Sequence, residues 1–153
     1  MKTCKRIGAT LLSLVILLTY CSLPVSAAEE ISAGQNVEYL EDGSYIVTTL
    51  VVEPSITRSS NTTTGKKTVT KYSTSNVKQY SFTLRATFSY NGSSATATDA
   101  STSITIYQNG WQCTNRSTSK SGNRVTGNAT FRNGAAVNYP TVTITCSANG
   151  VMS

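Results

Sequence analysis

The chain contains no histidine. That absence removes the Ser–His and Cys–His pairs that activate many nucleophiles at neutral pH, together with the commonest zinc ligand. Carboxylates are also missing where chemistry would need them. Beyond residue 53 the only one is Asp99, so a two-carboxylate glycosidase would have to recruit its partner from the N-terminal stretch. Glu41-Asp42-Gly43 lacks the spaced oxygen ligands of a calcium loop and suits a hairpin turn instead. Serine and lysine are common, but no Ser–Lys pair stands out, and Ser119-Lys120 has the character of a loop. No apolar stretch after residue 27 keeps a helical period. A non-enzymatic protein is therefore expected, with no catalytic residue, no metal site and no cofactor.

What is present begins with a leader. Lys2, Lys5 and Arg6 precede an apolar run at residues 11–18 that only Ser13 interrupts, and Pro24 is followed by Val25-Ser26-Ala27. The run is well short of the roughly 20 residues a bilayer span needs, so residues 1–27 read as a secretory signal peptide. Cys21 would suit lipidation, but Tyr20 stands where lipoprotein peptidases take a small residue. The expected location is extracellular or associated with the cell envelope.

The remaining length suffices for one domain with a core of its own. Its charge is uneven. Residues 28–53 carry six acids and no base, whereas residues 54–153 carry ten bases and one acid. The stretch divides into an acidic arm or hairpin (28–53), a polar connector (54–65) and a basic β domain (66–153). Such asymmetry suits either an anionic partner or an acidic arm folded against the basic body.

Period-two alternation dominates the body. Tyr80, Phe82, Leu84, Ala86, Phe88 and Tyr90 alternate with Ser81, Thr83, Arg85, Thr87 and Ser89, giving one apolar and one wet face. Asn91-Gly92, Asn109-Gly110 and Asn133-Gly134 supply tight turns. Residues 95–107 form a returning strand with Ile104 and Ile106 inward. Val125, Ala129 and Phe131 share a face, as do Val142, Ile144 and Cys146. Upstream, a hairpin is expected about Asp42-Gly43, and residues 68–72 form a further strand. Short strands at this spacing predict an all-β, antiparallel β-sandwich of about seven or eight strands, with a small β-barrel as the alternative.

Cys113 and Cys146 each sit among apolar neighbours, without the electropositive setting and base that a thiol nucleophile needs. The preferred reading is a disulfide between facing strands, which would stabilise the fold by roughly 4 kcal/mol; two buried free thiols are the alternative. Trp111 precedes both cysteines, unlike the immunoglobulin order Cys–Trp–Cys. Its shared face with Cys113 favours burial over an exposed stacking role. Tyr72 and Tyr107 are the better candidates for an exposed platform. With Lys66, Lys67, Lys71 and Lys78 they form the candidate binding surface.

Three stretches, YNGSSAT (90–96), SKSGN (119–123) and TITCSANG (143–150), resemble a group of small secreted proteins of Gram-positive bacteria. The likeness covers about residues 66–153. It implies secretion and a β-rich domain, and no activity, catalytic residue or ligand. Members of the group often carry a cysteine shortly after the Asn-Gly-Ser-Ser turn, where this chain has Ala97, which leaves the pairing of Cys113 open.

Two functions follow as expectations. One is a secreted binding protein whose basic surface holds an anionic cell-wall polymer or a membrane surface. The other is a secreted toxin or bacteriocin-like effector acting on a competitor's envelope. Nucleic acid is not an expected partner, because no recognition motif accompanies the basic residues.

Overall fold

The computed structural model describes residues 31–53 and 61–153, with side chains described from residue 34 onward except at 54–60. The expected signal peptide and most of the expected connector lie outside the described residues. Alternation of β-branched or aromatic side chains with Ser and Thr produces nine strands: β1 (Ile31–Tyr39), β2 (Tyr45–Glu53), β3 (Thr62–Tyr72), β4 (Lys78–Tyr90), β5 (Ala95–Ile106), β6 (Gln112–Ser121), β7 (Arg124–Asn133), β8 (Ala136–Asn138) and β9 (Thr141–Thr145). No helix occurs among the described residues.

The first five strands make one antiparallel sheet in chain order. The second sheet places β7 between β6 on one side and β8 and β9 on the other. β8 pairs with the end of β7 and β9 with its start. Pro140, which has no N–H to give a ladder, sits at the break between them, and its carbonyl accepts from Ala129 N at 3.1 Å. β8 and β9 thus act as one interrupted strand. The result is the expected β-sandwich, and neither sheet closes into a barrel.

The core lies where the inner faces meet. Tyr80, Phe82, Leu84, Ala86 and Phe88 of β4 are buried against Val125, Ala129, Phe131, Val142, Ile144 and Cys146 of the second sheet. The Tyr80 and Phe131 rings stack with centroids 3.9 Å apart and 9° between planes. Trp111 is buried and tilts onto Tyr80 at 4.9 Å. Gly127 marks a close approach of the sheets. A Cβ there would lie 3.1 Å from Leu84 Cδ1 and 3.2 Å from Phe82 Cζ. Gly110, at φ 97°, makes the turn that brings Trp111 in from the end of β5.

Several expectations need correction. The polar connector at 54–65 does not extend to residue 65, because β3 begins at Thr62 and pairs Thr62–Thr64 with Ser89–Thr87 of β4. The acidic arm does form the expected hairpin, but it is part of the sheet: β2 pairs with β3 along its whole length. Ile104 packs against the core while Ile106, beyond the cover of the second sheet, is 37% exposed.

The proposed disulfide does not form; Cys113 and Cys146 are free thiols. Cys113 lies opposite Phe131 near the end of β7, and Cys146 N donates to Asn123 O before its start. Eight residues of extended chain separate those positions, about 27 Å, whereas a disulfide needs Cα atoms within about 7 Å. Ala97 donates through its N–H to Gly122 O, one residue from the carbonyl that receives Cys146 N.

Two tests follow. Gly127→Val should drive the sheets apart and destabilise the fold by about 2 kcal/mol, read as a lower denaturation midpoint at unchanged slope. Alkylation under denaturing, non-reducing conditions should label both Cys113 and Cys146, whereas a disulfide would leave both unlabelled.

Candidate binding surface

One tyrosine row crosses the solvent face of the five-stranded sheet. The β1–β2 hairpin turns at residues 40–44, with Leu40 N donating to Ser44 O at 2.8 Å. That turn sets Tyr39 opposite Tyr45, and the β2–β3 register sets Tyr45 opposite Tyr72. Tyr39 and Tyr45 lie 5.6 Å apart at 43°, and Tyr45 and Tyr72 lie 4.8 Å apart and nearly parallel at 4°. Tyr72 pairs across to Lys78 of β4, whose ammonium stands 5.6 Å from the centroid of the Tyr107 ring. Four positions on neighbouring strands, with Tyr107 just past the end of β5, therefore form a continuous row roughly 19 Å long at the spacing of paired strands.

The row is held in place from the side. Tyr45 Oη donates to Asn76 Oδ1 at 2.7 Å, and Asn76 is itself set by the β3–β4 turn at φ 62°. Partial desolvation, then the neighbouring Tyr72 and Tyr39, raise the Tyr45 phenol above its ordinary value. It stays a neutral donor across physiological pH. Because Tyr45 and Tyr72 stack, they present edges and hydroxyls outward, whereas Tyr39 is 76% exposed and offers ring surface.

Below the row, β3 and β4 carry a field of hydroxyls. Thr70 and Ser81 hydrogen-bond at 2.8 Å, Thr68 and Thr83 at 2.9 Å, and Thr64 and Thr87 at 3.0 Å. These pairs satisfy one another across β3 and β4, while Val37, Val47 and Val51 put apolar groups on the same face of β1 and β2. At the far end Glu53 meets Lys66 Nζ at 2.8 Å and Arg85 Nη2 at 2.8 Å.

The six residues expected to form the surface are divided by this geometry. Tyr72, Tyr107 and Lys78 come together in the row. Lys66 shares the face but is engaged by Glu53 at its opposite end. Lys67 has inward parity and lines a groove with Gly34, Asn36, Thr48 and Leu50. Lys71, also inward, is buried beside Trp111. Tyr39 and Tyr45 were not expected there. Their signal was available: they stand symmetrically about the Asp42 turn, so a hairpin centred on it pairs them.

The basic residues do not merge into one patch. Arg116 and Lys120 reach from β6 to the open edge of β5, donating to Thr102 O at 3.4 Å and Thr98 O at 2.9 Å. Arg124 and Arg132 belong to the second sheet. No group of three or more His, Cys, Asp or Glu side chains converges among the described residues.

No family model and no curated protein matches the chain. Among solved structures it is similar to a hypothetical protein from Listeria monocytogenes EGD-e, at 20% identity and a TM-score of 0.44, over 75% of this chain and 88% of that one. A likeness at this level bears on neither ligand nor site.

The Glu53 cluster gives a measurable pH dependence. Hydrogen bonds from Arg85 and then Lys66 hold its carboxyl below the ordinary value of 4.5, and the same contact raises the Arg85 guanidinium. Both cations are more than a third exposed, so solvent screening limits the contribution to about 0.5–1 kcal/mol. A depressed carboxylate stabilises fully above its unfolded value and loses that contribution as pH falls through the folded value. Glu53→Gln should lower the unfolding free energy in urea by about 0.5–1 kcal/mol at neutral pH. The difference should vanish in strong acid.

Proposed function

We propose that the protein is a secreted, non-enzymatic binding protein that holds an extracellular polymer along the Tyr39–Tyr45–Tyr72–Lys78–Tyr107 row. The observation that supports this is the row itself: aromatic surface, phenol donors and one cation, aligned across the five-stranded sheet on an open face. Apolar ring surface with a polar tip suits polymers that are both hydroxylated and apolar along their length. The neighbouring Thr and Ser hydroxyls extend the same character down the sheet. Lys78 adds attraction to an anionic chain, of the kind that envelopes carry. With the remaining bases dispersed, the row rather than a general positive field supplies the specificity.

Residues 28–153 should be retained by isolated bacterial cell walls at low salt, and released in part as ionic strength rises. Tyr72→Ala should weaken retention roughly 5–10-fold through loss of its ring edge and hydroxyl and of the stack that holds Tyr45. Lys78→Ala should chiefly flatten the salt dependence. Arg132→Ala, on the other sheet, should leave retention unchanged. Absence of retention at low salt, or an equal loss from Arg132→Ala, overturns the reading.

A further inference from the structure

At one end of the sandwich the sheets part around a cleft of about 260 Å³. Asp42 and Ser44 line it from the β1–β2 turn, Lys71 and Ser73 from the end of β3, Gln79 from the start of β4, and Trp111 from the entry to β6. It lies on the inner side of the sheet, opposite the tyrosine row: Lys71 and Tyr72 are adjacent in sequence and face opposite ways.

Two polar groups in this cleft are open to a ligand. Lys71 is 6% exposed; its charge acts on the Asp42 carboxylate of the same cleft, and no hydrogen bond or ion pair within 4 Å joins its ammonium to a described residue. The Trp111 ring is 5.9 Å away, centroid to ammonium. The Gln79 Oε1 atom is buried and accepts no hydrogen bond. Gln79 is the extra residue of a β-bulge, since Lys71 pairs with Tyr80 and Tyr72 with Lys78. Bulges re-aim side chains, and this one turns Gln79 off the outer face. Buried polar groups in native proteins are normally paired, so the Gln79 acceptor beside a largely buried ammonium calls for a partner.

The other polar groups are already occupied. The Asp42 carboxylate accepts from both the N–H and the hydroxyl of Ser44. Ser73 Oγ accepts from the N–H groups of Ser75 and Val77. What the cleft offers is therefore one cation with the Asp42 carboxylate near it, one free acceptor and an indole wall.

We propose that the cleft binds a small monocarboxylate with an N–H on the adjoining carbon, as in the C-terminal residue of a peptide or an N-acylated amino acid. The carboxylate pairs with Lys71, the N–H donates to Gln79 Oε1, and the substituent on the carbon between them lies against Trp111. Asp42 disfavours a second carboxylate. The volume falls just below the roughly 300–1,000 Å³ of drug-sized sites, so one or two residues fit and a polymer does not. This site stands apart from the polymer row, and either can fail without the other.

Trp111 is the chain's one tryptophan, so its fluorescence reports on the cleft directly. N-acetyl-alanyl-alanine should produce a saturable change, and its C-terminal amide should bind at least about tenfold more weakly, as expected for loss of a charged hydrogen-bond partner. Lys71→Met should lose binding by a similar factor while unfolding at the same temperature or higher, because an apolar chain replaces a buried ammonium. Gln79→Leu should weaken binding about 3–10-fold, the worth of one hydrogen bond. N-acetylalanine binding as tightly as the dipeptide identifies a free acylated amino acid as the class; tighter binding of the dipeptide identifies a peptide end. Equal affinity for acid and amide on the unaltered protein overturns the proposal. So does undiminished binding by Lys71→Met, or no saturable response together with ordered water filling the cleft in a crystal structure.

Discussion

The Tyr80 ring of β4 lies flat on the Phe131 ring of β7, and the arrangement of both sheets depends on that contact. Two stacked rings bring large apolar areas together with little freedom to slide. They set which residues of each sheet face the other. Trp111 closes on the same pair from the side, and Gly127 leaves the room beside it that Leu84 and Phe82 occupy. Burial pushes the Tyr80 phenol far above its ordinary value, so this ring remains uncharged in the core. Where the stack ends, the sheets part, and the cleft containing Lys71 and Gln79 opens.

A small core must be carried by strands whose other face is wet, and this chain meets that demand with hydroxyls more than with charge. Thr and Ser side chains pair across β3 and β4, and Thr126 pairs with Thr143 on the second sheet at 3.3 Å. The bases serve particular structural ends. Arg116 and Lys120 occupy carbonyls on the open edge of β5, where another chain could otherwise add a strand. Lys66 and Arg85 share Glu53. The tyrosine row is what distinguishes the outer face.

Legibility in the sequence followed the strength of local alternation. β7 buries the residues that its period-two pattern indicated, and β4 does so from Tyr80 to Phe88, although Tyr90 is only partly buried and Ser81 of the wet face is buried beside Tyr107. Val142, Ile144 and Cys146 are buried together at the end of the chain. The Asn-Gly pairs fall at turns, and Trp111 is inside. β3 was legible only in its second half, because its inward positions include Gly65, Lys67 and Lys71, which carry no apolar signal. Parity turns Gly65 inward, and Met152 packs into the space a side chain there would take. The β5 alternation is broken by a bulge at Thr98, which lets Ala97 and Ala100 both pack against the core.

Local alternation indicates most of the strands, their wet and dry faces and the turns between them, because side-chain direction in a strand repeats every two residues and needs no distant partner. Which residues meet depends on the packed fold. Cys113 and Cys146 share the inner side yet sit at opposite ends of β7. Tyr39, Tyr45 and Tyr72 become neighbours solely through the registers of β1, β2 and β3. Lys71 joins the interior instead of the basic surface because its parity places it on the covered side, above Trp111. Register and cover arise from contacts between residues far apart in the chain, and no local period encodes them.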